Sequence, residues 1–146
     1  MATAEQNKAL TRRWFDEVWN QGREETIDEL AAPDVTMHGL GDGGGDVRGP
    51  DGFRPFWHRF REAFPDLRIT IDDLLADGDK TAARVTLIGT HRGPGIGVPP
   101  SGRPVRMSAM VIARWQGGRL VEGWNELDAA GLMRQIGAAP PAAAEV

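Results

Sequence analysis

Apolar residues recur at helical spacing near the start of the chain. The residues that would share one helix face are Leu10, Trp14, Phe15, Val18 and Trp19. This period predicts an amphipathic helix that ends near Gly22, a residue type common just after a helix. A second short helix is predicted over residues 23–32 because Pro33 cannot continue it.

Aromatic residues form a broad stripe in the middle of the chain. A third helix is predicted over residues 51–64, with Asp51 as its N-cap. Its aromatic positions follow the helical period: Phe53, Phe56, Trp57, Phe60 and Phe64. Before it, residues 34–40 indicate a short strand, and the Gly/Asp-rich residues 41–50 indicate a flexible loop.

Alternating apolar and polar residues dominate the second half of the chain. Residues 67–93 predict a β-hairpin that turns at Asp77-Gly78, and residues 105–127 predict a second hairpin that turns at Gly117-Gly118. A last helix is predicted over residues 128–137. Helices followed by long strands are typical of an α+β fold, here a curved antiparallel sheet whose concave face holds the aromatic helix.

The length and the C-terminal composition predict how the chain is organised. The 146 residues suit one domain, residues 1–146, with an ordered core over about residues 6–137. The Ala/Pro-rich tail after residue 137 is expected to be loose.

Composition excludes several classes of function. The chain has no Cys and no Tyr, so disulfides, thiolate nucleophiles and phenol-dependent mechanisms are excluded. The formal net charge of -4 argues against nucleic acid as a partner. No apolar run approaches the roughly 20 residues of a membrane span, and no signal peptide is recognisable, so a soluble cytoplasmic protein is expected.

The glycine-rich segments and the histidines give weak signals of chemistry. Neither Gly-rich loop lies between a strand and a following helix, as a phosphate-binding loop does. The three histidines match no metal-binding spacing, so no metal site is predicted. His38 ends the first predicted strand, from which its side chain could face a cavity or serve a structural role.

Asn125 and Asp128 stand where the last strand becomes the last helix. Asp128 is well placed to cap that helix through its carboxylate. Alternatively, the pair could act on a ligand, because an amide can polarise a carbonyl and a desolvated carboxyl can move a proton. The sequence alone leaves both interpretations open.

Most of the chain resembles one known family. Five segments carry the resemblance: NKALTRRWFDEVWNQG, IDELAAPDVTMHG, GPDGFRPFWHRFREAFPDLRITIDDLLADGDKTAARVTLIGTHRG, GIGVPPSGRPV and GGRLVEGWNELDAAGLMRQIG. From about residue 6 to residue 137 they are similar to the SnoaL-like polyketide cyclases, also called ester cyclases, of the nuclear-transport-factor-2-like superfamily. The resemblance implies a cone-shaped α+β barrel with a deep pocket, a homodimer built through the sheets, and no cofactor.

The resemblance also implies a chemistry and shows where this chain departs from it. The best-known members close a ring in an aromatic polyketide by intramolecular aldol condensation, with an Asp as acid/base and a His that assists. Those residues align with Asn125 and Val111, so both are absent here. Asp128 and His38 are the remaining titratable candidates.

These expectations combine into one predicted function with two alternatives. The chain is predicted to be a SnoaL-like cyclase-type protein that acts without a cofactor, by acid/base catalysis, on a hydrophobic polyketide-like molecule. Asn125 would polarise a carbonyl, and Asp128 or His38 would carry the proton. The residues predicted to shape the pocket are Trp19, Phe53, Trp57, Phe60, Met110, Val111 and Trp124.

The first alternative is a dimer of the same fold that binds small molecules without catalysis. The second is an epoxide-hydrolase-like enzyme, which needs an Asp-Arg-Asp network. Arg84 and Arg114 lie on predicted strands, but no matching aspartates stand at plausible positions in the sequence.

Overall fold

The computed structural model describes residues 2–137, which form helices packed on one β-sheet. The α-helices are α1 (Ala4–Arg13), α2 (Glu24–Leu30), α3 (Gly49–Ala63) and α4 (Ala129–Gln135). The strands are β1 (Ala31–His38), β2 (Asp46–Arg48), β3 (Arg68–Asp77), β4 (Lys80–Thr90), β5 (Pro104–Gln116) and β6 (Arg119–Leu127). The loose tail predicted after residue 137 lies outside the described residues. None of the described helices is long and apolar enough to cross a membrane.

The first predicted helix is two helical segments in sequence. Thr3 and Gln6 form a reciprocal capping box that starts α1, in which each side chain bonds the other's backbone N–H. The chain then winds as a π-helix over Trp14–Asn20. A π-helix pairs residues five apart, so Trp14 and Trp19 come onto the same side of the segment. Both side chains are buried against the rest of the core.

The aromatic helix α3 begins two residues earlier than the sequence predicted. Gly49 is its first residue, and the preceding Arg48 makes no side-chain capping bond. The prediction that Asp51 is the N-cap is therefore wrong. Asp51 lies in the first turn, where its carboxylate accepts a hydrogen bond from Arg54 at 2.5 Å.

The six strands form one sheet in the order β2-β1-β6-β5-β4-β3. The two predicted hairpins, β3–β4 and β5–β6, are confirmed as antiparallel pairs. The predicted α+β fold with a curved sheet is confirmed. Four of its five strand pairs are antiparallel, and β1 differs from the prediction by running parallel to β6. The sheet is also unclosed, with β2 and β3 as its two edges, so it is a curved half-barrel rather than a full barrel.

Strand β2 falls inside the segment that the sequence indicated as a loop. It has only three residues and pairs with β1 so that His38 stands opposite Asp46. Residues on either side of the short strand are the glycines that suggested a loop. The turn between β1 and β2 brings an acidic side chain next to His38.

The concave face of the sheet packs against α3 and the π-helical segment. Along β5 the buried side chains alternate with exposed ones, so Met107, Ala109 and Ala113 face the helices. Aromatic side chains of α3 meet them from the other side. This is the arrangement that the sequence predicted for the aromatic helix, and it encloses the cavity described below.

Candidate functional site

A cavity of about 80 Å³ lies between the concave face of the sheet and the helices. Its helical wall is aromatic and is formed by Trp14, Phe15, Trp19, Phe53, Phe56 and Phe60. Its sheet wall is mainly aliphatic and includes Met37, Val85, Leu87, Met107, Ala109 and Val111. The walls therefore favour an apolar occupant.

Trp19 is the centre of the aromatic wall. The rings of Phe53, Phe56 and Phe60 meet it edge-on, with centroids 5.9, 6.0 and 6.4 Å from its own. Edge-to-face contacts of this kind are favourable between aromatic rings. They hold the wall as one packed unit rather than as separate side chains.

Asn125 places an amide in this mostly apolar cavity. Its Nδ2 donates to the backbone oxygen of His38 on β1 at 2.9 Å. On the neighbouring strand it stands opposite Val111, which also lines the cavity. The bond to β1 fixes the amide orientation and leaves a second N–H and the carbonyl oxygen for other partners.

A close contact between backbones supports the position of Asn125. Gly39 follows β1 and has a φ of +88°, a backbone conformation that residues with a Cβ rarely adopt. A Cβ at Gly39 would lie 2.1 Å from the backbone oxygen of Asn125. Glycine at this position therefore lets β1 and β6 approach closely enough for the amide to reach His38.

Asp128 caps helix α4 and lies outside the cavity lining. Its Oδ1 accepts a hydrogen bond from the backbone N–H of Gly131 at 3.0 Å, and the residue is exposed. Its role as a helix cap is thus sufficient to explain the position of Asp128. A proton-carrying role for Asp128 stays a prediction that this geometry does not favour.

His38 lies on the outer face of the sheet. Because side chains alternate along β1, Met37 lines the cavity and His38 points the other way. Its Nδ1 is 2.8 Å from Asp46, and its Nε2 is 2.7 Å from Glu122. The hydrogen bond to Glu122, followed by the one to Asp46, raises the pKa of His38, and the bond from His38 lowers the pKa of Glu122.

The other predicted pocket residues divide between the two faces of the sheet and the core. Trp19, Phe53, Phe60 and Val111 line the cavity. Trp57, Met110 and Trp124 do not belong to its lining.

The three residues outside the lining have other contacts. Trp57 is buried beside the π-helical segment, where its Nε1 donates to the backbone oxygen of Val18 at 2.9 Å. Met110 is exposed on the outer face, because its neighbour on β5, Val111, faces inward. Trp124 also lies on the outer face and stacks on His38, with ring centroids 5.6 Å apart.

A second polar group, not identified among the predicted site residues, lies at another part of the cavity wall. Thr11, Thr81 and Trp115 all line the cavity and are joined by hydrogen bonds. Thr11 precedes Trp14 and Phe15 by three and four residues, so it lies on the same helix face as those apolar side chains; this spacing was the available signal, since a buried hydroxyl needs partners.

The described residues that line the cavity include no Asp, Glu, His, Lys or Arg. The polar side chains among them can orient a ligand or polarise a carbonyl, but they do not exchange protons near neutral pH. The acid/base part of the predicted mechanism therefore has no titratable side chain in the described lining.

An Asp-Arg-Asp set is present, but on the outer face. Arg84 bonds Asp73 at 2.8 Å and lies 3.7 Å from Asp72. Arg84 and Asp73 are exposed, and neither lines the cavity with its aromatic wall. The set forms surface ion pairs instead of the enclosed network that an epoxide hydrolase requires.

The profile of the SnoaL-like polyketide cyclases matches residues 9–136 of this sequence. The chain belongs to the SnoaL-like polyketide cyclase family. No protein with a curated description matches it. The curved sheet packed against helices is thus that of a SnoaL-like protein, as the sequence resemblance implied.

Several solved structures share the fold over nearly the whole chain. One is IdmH of Streptomyces antibioticus, a proposed polyketide cyclase. Its match is 34% identical, covers 90% of this chain and 99% of IdmH, and has a TM-score of 0.79. A proposed SnoaL-like polyketide cyclase of Jannaschia is 27% identical, with coverages of 97% and 98% and a TM-score of 0.83. AclR of Streptomyces galilaeus, a proposed hydroxylase, is 25% identical, with coverages of 98% and 93% and a TM-score of 0.82.

Proposed function

We propose that this SnoaL-like chain binds a hydrophobic, polyketide-like molecule in its cavity and promotes ring closure or isomerisation without a cofactor. Asn125 would hold and polarise a carbonyl group of the ligand. The observation that supports this best is an amide fixed by a 2.9 Å bond to β1 within a mostly apolar cavity. The relatives named as proposed cyclases support the reaction class.

The catalytic contribution would come from orientation and polarisation. Confinement between the aromatic wall and the sheet would hold a flexible ligand in a folded conformation. The entropy of folding the ligand would then be lost on binding rather than in the ring-closing step, which lowers the barrier of that step. The free N–H of Asn125 would stabilise negative charge on a carbonyl oxygen in a site of low dielectric. In an aldol ring closure, the proton lost at the nucleophilic carbon would return to the new alkoxide oxygen, through water or the ligand's own hydroxyl groups.

The size of the cavity requires movement of its walls. Ligand sites usually measure about 300 to 1,000 Å³, whereas this cavity has about 80 Å³. Phe60 is the half-buried member of the aromatic wall, so we expect it to move first when a ligand enters. Binding should therefore change the near-UV circular dichroism of the aromatic residues.

Binding without turnover is the second candidate function. The observation that favours it is the lack of a titratable side chain among the described residues that line the cavity. In that case Asn125 would select a ligand carbonyl and release the molecule unchanged.

One experiment separates the two candidates. The wild-type chain and Asn125→Leu are incubated with linear aromatic β-polyketone esters, and ring closure is followed by absorbance while binding is followed by calorimetry. Faster closure that Asn125→Leu slows at least tenfold supports catalysis. Binding with closure at the uncatalysed rate supports the second candidate, and the absence of binding refutes both.

We also propose that the chain forms a homodimer through the outer face of the sheet. Large apolar side chains are exposed there: Leu75, Ile88, Met110 and Ile112. Several large apolar side chains exposed on one face of a sheet are typical of an interaction surface. Sedimentation should show a dimer that Met110→Lys weakens, and a monomeric wild-type chain at micromolar concentration would refute this proposal.

A further inference from the structure

The hydrogen bonds among Thr11, Thr81 and Trp115 run in one direction. The Thr11 hydroxyl donates to the backbone oxygen of Asn7 at 3.0 Å, because a carbonyl can only accept. Its single hydrogen is then used, so the 2.8 Å bond between the two threonines is donated by Thr81. Trp115 donates its Nε1–H to the Thr81 oxygen at 3.3 Å.

This direction determines what the two hydroxyls can still bind. Each threonine hydroxyl donates one hydrogen bond and accepts one. Each oxygen therefore keeps one lone pair that can accept a further bond and has no hydrogen left to donate. Thr11 and Thr81 are 3% and 1% exposed, and both line the cavity. The pair therefore offers acceptor capacity and no free donor at the cavity wall, so the polar group it can bind there is a hydrogen-bond donor.

The acceptor pair and Asn125 lie apart on the sheet wall. Asn125 is opposite Val111, which is opposite Ala83, whereas Thr81 is opposite Ala113. Thr81 and Asn125 are thus two strands apart and one inward-facing row apart. From the usual strand spacing and rise, their Cα atoms are separated by about 12 Å on a flat sheet, and by less across a concave one.

We propose that Thr11 and Thr81 form a second polar subsite, which binds a hydroxyl or N–H donor of the ligand while Asn125 binds a carbonyl. This inference rests on the proposed use of the cavity as a ligand site. It defines the ligand as an apolar molecule with a donor group at one end and a carbonyl group at the other. A phenolic ring joined to a ketone or ester has this distribution, and a hydrocarbon or a fully methylated ether does not.

Small aromatic probes test the subsite without knowledge of the natural ligand. Phenol carries a donor, toluene has the same shape without one, and anisole offers only an acceptor. Dissociation constants are measured by NMR titration for the wild-type chain and for a variant that combines Thr11→Val with Thr81→Val. The relevant quantity is the ratio of the toluene constant to the phenol constant in each protein.

We expect this ratio to fall about threefold to tenfold in the double variant, which corresponds to the loss of one neutral hydrogen bond. The ratio of the toluene dissociation constant to the anisole dissociation constant should not fall in the double variant. Thr86→Val is the matched control, because Thr86 lies on the outer face and donates to Asp72 at 2.6 Å; it should leave both ratios unchanged.

Each other outcome has a definite meaning. If the double variant does not fold, Thr81→Val alone replaces it, with Thr81→Ser expected to retain the wild-type ratio. Probes that bind with the same ratio in wild type and variant overturn the subsite but leave cavity binding intact. Probes that fail to bind the wild-type chain at all overturn both the subsite and the proposed function.

Discussion

Replacing Asn125 by aspartate should make the stability of the protein depend on pH in a new way. The substitution keeps the size of the side chain but exchanges an N–H donor for a carboxylate oxygen. That oxygen would face the backbone oxygen of His38, which Asn125 now bonds at 2.9 Å. Two acceptors repel each other, and the mostly apolar cavity disfavours the negative charge.

The magnitude follows from the groups involved. A lost neutral hydrogen bond costs about 1 kcal/mol, and a partly buried acceptor without a donor adds about 1 to 3 kcal/mol. We expect Asn125→Asp to lower the free energy of unfolding by about 2 to 4 kcal/mol at pH 8. When protonated, the carboxyl can donate to His38, so the cost at pH 4 should be about 1 kcal/mol or less.

The sign of the pH dependence is fixed by linkage. The pKa of the introduced carboxyl is raised in the folded state above its unfolded value of about 3.9. The variant is therefore relatively most stable below that value and loses stability as the pH rises towards the folded pKa.

Chemical denaturation of wild type and variant between pH 4 and pH 8 measures the difference directly. Contributions shared by the two proteins, including that of His38, cancel in this difference. Asn125→Leu is the control, since it also removes the hydrogen bond but cannot titrate, so its cost should be constant with pH. A pH-independent cost for Asn125→Asp would show that residue 125 faces water, and the reasoning on its environment would be refuted.

Three further substitutions test other parts of the structure. Glu17 has its pKa lowered to about 2 by a hydrogen bond from Arg13, so it stabilises the fold above about pH 4.5 and loses this effect as the pH falls. Denaturation at pH 7 should show Glu17→Gln to be about 1 to 3 kcal/mol less stable. The raised pKa of His38 stabilises the fold below about pH 6.5. Melting curves should therefore show His38→Gln to be destabilising at pH 6 and nearly neutral at pH 9; an equal loss at both would contradict this. Gly39→Ala should force β1 and β6 apart, so calorimetry should find at least a tenfold loss of probe binding in the folded variant.

The alternation of side chains along a strand could have corrected several of the predicted site residues. Adjacent residues of a strand face opposite sides of a sheet, so Met110 and Val111 cannot both line one cavity. The same holds for Trp124 and Asn125. In each pair the second residue lines the cavity and the first faces outward. Consistent alternation from Met37 would also have placed His38 on the outer face.

Other features depend on contacts between distant segments and could not be read from local patterns. The helices, the two hairpins and the cap by Asp128 follow from nearby residues, and they were predictable. The short strand β2 and the neighbours of His38 depend on β1 meeting residues about 10 and 84 positions away. The family resemblance supplied the cone-shaped fold, but not the direction of each side chain.

The parallel pairing of β1 with β6 has a consequence for the order in which the chain folds. Strands β3 to β6 are joined by antiparallel pairing of neighbours in sequence. Strand β1 must instead wait for a partner that follows it by more than 80 residues. Closing so long a loop is slow because its entropic cost precedes any gain from contacts. We therefore expect the four-stranded meander to form first and the wall that carries the Asn125–His38 bond to be completed last, so that a refolding chain acquires its cavity only in the final step.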